Sequence, residues 1–406
     1  MEEIMKRKIS LLLATVLVFS TVGNAAFAED VPKDTETTVT ESVKEGKVQE
    51  LSIADAVKLA TESDRGMWKI DDQIKKMRDM RRQGSSAKEM AVYVMEAPLA
   101  ETAGMAPDYL DLILAKNNYY TKTADLKSKE IEKQRGMLLI GIEIETKKMY
   151  YDVLVAEKAI EINQAKLSKA EEQLRVVNLK FSNGSATKAE VLNGEMAVQQ
   201  AKTDLDSATD DLNIAKLDLL NKLDLPLDTK IVLTEKELTY IPTSKIDLDA
   251  AIEKAKTDRP EILTAENDLE IQKIETHAYK AYYTSNLRQY KWAEEKLTDA
   301  ELNVPQSYKD VELDVRNKYL NLVKAERALT NMDKTVELAK EAARINKLLY
   351  ENGMVTSLDV LNADTDLAQA EIGKYQLLVA YNMSKLMFDN SNIMGVAGNA
   401  AAADAE

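Results

Sequence analysis

"FSNGSATKAEVLNGEMAVQQA", residues 181–201, returns in outline 169 positions later as "YENGMVTSLDVLNADTDLAQA", residues 350–370. Phe181 falls on Tyr350, Asn183-Gly184 on Asn352-Gly353, Ser185 on Met354, Thr187 on Thr356, and Val191-Leu192-Asn193 on Val360-Leu361-Asn362. Each copy carries what is needed to stop one helix and start another. An Asn-Gly pair takes up the left-handed backbone that ends a helix. Thr187 or Thr356 then offers a hydroxyl to the free N–H groups of the next helix. Glu190 stands three residues further on, as a capping box requires. Asp359 holds the Glu190 position in the second copy, where a negative charge suits the positive helix end.

The segments on either side are helical and long. Val153, Ala156, Ile160, Asn163, Leu167, Ala170, Leu174, Val177 and Phe181 lead into the first turn in steps of three and four, with Asn163 alone breaking the apolar series. Val191, Gly194, Val198, Ala201, Leu205, Ala208, Leu212, Ala215 and Leu219 lead out of it. Such a 3.5-residue repeat keeps one seam against a neighbour when helices supercoil left-handedly. The outgoing arm, Thr187 to Leu223, predicts ~55 Å of helix at ~1.5 Å per residue. The incoming arm approaches ~110 Å if the helix runs from Pro107 past Gly136 and Gly141 to Phe181.

The duplication outlasts the turn. At the same offset Tyr150 meets Tyr319, Ala156-Glu157 meets Ala325-Glu326, Arg175 meets Arg344 and Leu219 meets Phe388. A fainter echo pairs "LSIADAVKLATESDR" (51–65) with "IDLDAAIEKAKTDR" (246–259). The expected fold is all-α: two tandem repeats, 50–225 and 246–390, each built on an antiparallel coiled-coil hairpin. A linker at 226–245 holds Pro226, Pro242 and at most a short strand at Lys230 to Leu233.

Composition agrees. Gly (13) and Pro (7) are scarce and aromatics are 5%, the profile of long helices. A net charge of -15 offers nothing to replace counterions along a phosphate backbone, so nucleic acid is excluded as a partner. Residues 1–28 read as a secretory signal: Lys6-Arg7-Lys8, the apolar run "ISLLLATVLVFSTVG", then Ala26 to Ala28 with small residues at a cleavage site. The mature chain is expected to be exported and to begin near Glu29. Cysteine is absent, so there is no disulfide framework and no cysteine for a lipid anchor. Residues 29–49 and 391–406 are polar or low in large apolar groups and are expected to be disordered. Beyond the signal, no stretch supplies the ~18 apolar residues of a transmembrane helix.

Taken together, the opening "LSIADAVKLA" helix, two helix–(F/Y)-x-x-G–helix turns, "LDVLNA" and "LLNKLDLPLD" resemble the TolC-type outer-membrane efflux protein family over nearly the whole mature chain. The resemblance implies a homotrimer in which six hairpins form a hollow twelve-helix cylinder, an export duct of the cell envelope. It implies that the hairpin tips, here Asn183, Gly184, Ser185, Thr187, Asn352, Gly353, Met354 and Thr356, face a periplasmic-type adaptor and an inner-membrane pump. It also places Asp359 where that family carries an acidic aperture residue, with Asn362 one turn later and Glu190 at the matching place in the first copy. A ring of carboxylates favours cations or gates with pH, because like charges raise one another's pKa. For Asp359 the plainer reading is a helix-start acid stabilised by the dipole.

In that family each half also gives two strands to an outer-membrane barrel. Here residues 279–320 are dense in Lys and Glu, lack alternation, and break only at Asn303-Val304-Pro305. Residues 84–109 hold one candidate strand, Met90 to Met95. A barrel is therefore not expected, although the resemblance implies the outer membrane. The alternative function is an exported coiled-coil scaffold of the envelope without channel activity.

Enzymatic readings lack parts. His277 is the only histidine, and no phosphate loop, nucleophile elbow or EF-hand loop occurs, so no catalytic residue, cofactor or metal is expected. Asp210-Asp211 and Glu171-Glu172 read as solvated helix surface. Tyr279, Tyr282, Tyr283, Tyr290 and Trp292 recur near helical spacing, which fits packing between helices better than a lipid girdle.

Overall fold

Two short strands and nine helices follow one another among the residues described by the computed structural model, which are 49–97, 108–236, 238, 240, 242, 243 and 246–395. In chain order they are β1 (Gln49–Leu51), α1 (Ile53–Ser63), α2 (Arg65–Glu96), α3 (Tyr109–Lys116), α4 (Tyr119–Ser182), α5 (Lys188–Lys222) and β2 (Ile231–Leu233). Then come α6 (Leu248–Asp258), α7 (Pro260–Tyr282), α8 (Arg288–Glu351) and α9 (Ser357–Asp389). The expected signal segment and most of the 29–49 linker lie outside the described residues.

The long helices keep the register of the repeat. Both α4 and α8 have 64 residues, ~96 Å at ~1.5 Å per residue, and begin and end 169 positions apart. Neither Gly136 nor Gly141 interrupts α4. Its start falls short of the expected Pro107, however. The chain breaks at Asn117-Asn118, where Asn118 takes a left-handed φ of 63°, a conformation Asn tolerates better than most residues. The residues before the break form the separate helix α3.

Each long helix packs antiparallel on its partner, α4 on α5 and α8 on α9. In the first hairpin the predicted seam is buried at Val153, Leu167, Ala170 and Val177 on one side and Val191, Val198, Ala201, Ala208 and Leu219 on the other. The helices approach closely at Gly194, where an added Cβ would stand 2.9 Å from Leu174 Cδ1. Near the turns α4 and α9 meet each other, which leaves α5 and α8 on the outer flanks of a four-helix layer.

Two expectations fail toward helix. Met90 to Met95 lies inside α2 with Ala91 buried, so it is not a strand. Pro305 sits within α8 and does not end it. Proline removes one helical hydrogen bond and crowds the carbonyl of residue i−4. At this exposed position water is at hand for the freed carbonyl, and the helix continues on its packing against α7 and α9.

The base of each hairpin carries its core. In the first repeat Leu51, Ala56, Ala60, Tyr150, Val153, Leu219, Leu220, Ile231 and Leu233 pack together. In the second, Ile252, Ala255, Ile262, Val315, Leu322, Tyr381 and Phe388 do so. The strand expected at Lys230 to Leu233 is present as β2, parallel to β1 with Gln49 opposite Ile231 and Leu51 opposite Leu233. Tyr150 locks this pair. Its hydroxyl donates to Leu51 O at 3.1 Å and accepts from Glu235 N at 3.1 Å. The stretch after 390, expected to be disordered, packs back on the molecule as far as Gly395, and 396–406 lies outside the described residues.

Tyr150→Phe removes both hydrogen bonds while keeping the ring, and strands the Glu235 N–H. Such a loss costs about 1–3 kcal/mol, so the urea midpoint should fall with an unchanged m-value.

Candidate functional site: the paired hairpin tips

The two turns are built alike. After α4, Ser185 N–H bonds to Lys180 O at 2.8 Å and Gly184 N–H to Phe181 O at 3.0 Å. After α8, Met354 N–H bonds to Leu349 O at 2.9 Å and Gly353 N–H to Tyr350 O at 3.0 Å. These are Schellman closures, and they need the left-handed glycines seen at Gly184 (φ 75°) and Gly353 (φ 71°). Asn183 and Asn352 hold the C-cap positions.

Both capping boxes are complete. Thr187 Oγ1 accepts from Glu190 N at 3.2 Å, and Thr187 N donates to Glu190 Oε2 at 2.6 Å. Thr356 Oγ1 accepts from Asp359 N at 3.4 Å, and Thr356 N donates to Asp359 Oδ2 at 2.8 Å. The Thr356 hydroxyl also donates to Asp359 Oδ2, at 2.7 Å. Those bonds, the hydroxyl first and the backbone N–H second, hold the Asp359 carboxyl below its usual range.

Two contacts set the turns side by side. Lys180, at the end of α4, lies over the Tyr350 ring at the end of α8, 3.8 Å from its centroid. Further up, Lys169 of α4 pairs with Asp364 of α9 at 2.8 Å. Leu361 joins Leu167, Ala170, Val198 and Ala201 in one apolar cluster, so the second turn leans on the first seam. Nothing in the spacing of the sequence pointed to the Lys180–Tyr350 contact, because cross-hairpin neighbours have no periodic signal.

The sequence-predicted residues are thus gathered at one end. Asn183, Gly184, Ser185, Thr187, Asn352, Gly353, Met354 and Thr356 are all exposed there. Asp359 and Asn362 are exposed at the start of α9, and Glu190 is half-buried at the start of α5. The tips expose different apolar groups. On the second these are Met354, at 73%, and Leu358, where the first has Ser185 and Ala189. On the first they are Phe181 and Leu192, where Tyr350 and Leu361 of the second are buried.

The opposite end is aromatic. Tyr109, Tyr282, Tyr283, Tyr279 and Trp292 form a chain of ring contacts with centroids 4.7 to 6.1 Å apart, tying α3, α7 and α8. His277, exposed, lies 3.5 Å from Asn117 Nδ2. Among the described residues no helix is long and apolar enough to cross a membrane, and no group of three or more His, Cys, Asp or Glu could hold a metal.

The Asp359 cap carries a pH dependence. A depressed carboxyl contributes above its unfolded pKa and loses that contribution as pH falls through the depressed value. Amide exchange at Asp359 and Val360, corrected for intrinsic rates, should therefore speed up on acidification below about 4. Asp359→Ala should show the faster exchange already at neutral pH and no further rise.

No protein-family model and no curated protein sequence matches this chain. Solved structures do match. A membrane protein from Pseudomonas aeruginosa superposes with a TM-score of 0.67 at 15% identity, over 84% of this chain and 90% of that one. The outer membrane protein VceC of Vibrio cholerae gives 0.62 at 14% identity, over 84% and 96%. The open-state MtrE outer membrane channel of Neisseria gonorrhoeae gives 0.60 at 14% identity, over 85% and 89%. The chain resembles the TolC-type outer-membrane efflux channels, and the fold it shares with them extends over most of its length.

Proposed function

We propose that this chain is the protomer of a TolC-like export duct of the cell envelope, closed as a homotrimer and fed by a partner pump. The observation that carries the reading is the state of the layer's two flanks. On α8, Leu302, Leu313, Leu320, Leu338 and Ile345 are exposed, and on α5 so are Leu192, Met196, Ile214 and Leu217. Both flank helices thus bury one apolar stripe inside the chain and leave a second outside. A helix apolar on two faces calls for two neighbours. Seating α8 of one copy against α5 of the next is a head-to-tail contact, and such contacts generate a ring when the rotation closes. The likeness to outer-membrane channels supports the same closure.

In this reading the paired tips receive a periplasmic-type adaptor and the inner-membrane pump, and both offer apolar contact, Phe181 and Leu192 on the first tip and Met354 and Leu358 on the second. Asp359, Asn362 and Glu190 stand round the aperture, and the transport itself uses no cofactor and no covalent chemistry. The location is the envelope, with the aromatic end pointing away from the pump. One observation favours a second reading, a non-conducting envelope scaffold: Met90 to Met95 lies within α2, and residues 288–320 lie within α8. An image of the purified oligomer separates the two, an open tube supporting the duct and a solid bundle the scaffold.

The flank argument has a direct test. Leu338 is 72% exposed in the isolated chain. Leu338→Asp should change the stability of one chain by no more than about 0.5 kcal/mol, as for other surface changes, yet dissociate the oligomer in sedimentation. A wild-type mature chain that sediments as a monomer at micromolar concentration overturns the trimer. The aperture has a separate one: Asp359→Ala should weaken block of single-channel current by divalent cations, and an unchanged block removes Asp359 from the gate.

A further inference from the structure

The end of α9 does not leave the molecule. After Asp389 the chain turns, with Ile393 and Met394 N–H both donating to Asn390 O, at 3.0 and 2.9 Å. Ser391 is buried, and Asn392 Nδ2 donates to Asp258 Oδ2 at 3.1 Å. Lys318 Nζ bonds to Met394 O, and the Met394 side chain packs against the cluster of Ile144, Val379 and Met383. Gly395 then lies directly over Arg259 and Glu261. A Cβ placed on it would collide with Glu261 Oε1 and stand 2.6 Å from Arg259 Nη1.

Beneath this strap is a charge network at the bend between α6 and α7. Arg259 is 1% exposed; its Nη1 donates to Glu261 Oε1 at 2.9 Å and its Nη2 pairs with the buried Asp314. Lys318 reaches the same Asp314 oxygen at 2.8 Å. Arg259 Nε and Glu261 Oε2 are buried without a hydrogen-bond partner. The first repeat has the same Asp-Arg bend at Asp64-Arg65, but Arg65 is exposed. There the chain leaves α5 through Asp224, at a φ of 54°, and Pro226, and returns as β2 alongside β1 rather than over Arg65.

We propose that residues 391–395 are a latch, closed in this structure, that fastens the base of α9 to the α6–α7 bend and, through Met394, to α4. Two opposed effects poise it. The packing of Met394 and the hydrogen bonds of Asn392 to Asp258 and of Lys318 to Met394 favour closure. Rehydrating Arg259 and Glu261, whose remaining polar atoms have no partner under the strap, favours opening. Opening exposes the bend and frees the end of α9 while both coils stay intact. The inference stands on this geometry alone and holds whether or not the chain conducts.

The test is hydrogen exchange by mass spectrometry on the full mature chain and its Gly395→Val variant. A chain ending at Asn390, which has no strap, serves as the second variant. In Gly395→Val the side chain introduced meets the ends of the Glu261 and Arg259 side chains, so either these swing aside or the strap lifts. Exchange should rise by about tenfold or more in two places together, 391–395 and 256–263, as expected when one local unit opens. The Arg65 bend, at 62–67, should not change, and helix content by circular dichroism should be kept. Faster exchange at 391–395 alone makes the segment a passive tail and overturns the latch. In the chain ending at Asn390 the readout is 256–263 alone, which should exchange about tenfold or more faster while 62–67 does not change. Unchanged exchange at 256–263 in this chain that lacks the strap overturns the latch too, since the strap is then not seated in solution. Loss of helix content in both variants also contradicts the proposal, because opening has to leave the coils standing.

Discussion

From Val153 to Val177 on α4, and from Val191 to Leu219 on α5, the buried side chains recur every three or four residues. A seam patterned this way is narrow, and it can be hidden only against a partner that keeps the same period. The rest of the architecture follows. A 64-residue helix cannot fold back into a globule without breaking, so the partner must run alongside it and the chain must reverse in a few residues. The turn is thereby forced to end one helix and cap the next at once, which is what the Schellman closure and the capping box do together. Two such hairpins laid edge to edge give a layer, and a layer has flanks. The leucines left outside on α8 and α5 are the consequence of building long and thin.

The capping arrangement bears on any role for Asp359 in selectivity. Both Thr356 bonds fall on Oδ2, so capping does not neutralise the carboxylate. It does the reverse, holding the charged form to lower pH. Clustering of like charges around a closed ring acts in the other direction and raises each pKa. In the proposed ring the two effects would meet on one residue, and their difference would set the pH at which its carboxylates discharge. Asn362, one turn on, adds hydrogen-bonding capacity without adding charge.

What the sequence disclosed was whatever has a period or a local rule. The seam, both turns, the Thr187–Glu190 capping box and β2 are of this kind, because each is decided within a few residues or by a repeat spacing. At Asp359 the sequence showed the helix-start acid, and the structure added the second box. The misreadings share a different cause. Met90 to Met95 looks like a strand because it is a short apolar run, and short apolar runs do not distinguish strand from buried helix. Pro305 looks like a stop because proline's local cost is fixed, whereas the packing of α8 on two neighbours is not visible from one position. The start of α4 was placed too early because Asn117-Asn118 is a weak breaker on paper. Of the site, the tip residues were legible, but their juxtaposition through Lys180 and Tyr350 was not, since no local rule ties the ends of two different hairpins.

Duplication makes the two halves alike in their coils, and the differences lie where the copies meet unlike chain. The Asp-Arg bend shows this best. In the first repeat the chain must carry on into the second, so the end of α5 is committed to the linker and Arg65 remains in water. In the second repeat the described chain after α9, residues 391–395, takes another course. The residues there turn back, and Arg259, paired with Glu261 and with Asp314 held in turn by Lys318, goes under cover. Burial of that kind is tolerable only with near-complete pairing, and here the pairing stops two atoms short. An internal repeat therefore does not make its copies mechanically equal: the second hairpin is fastened at its base by contacts for which the first has no counterpart.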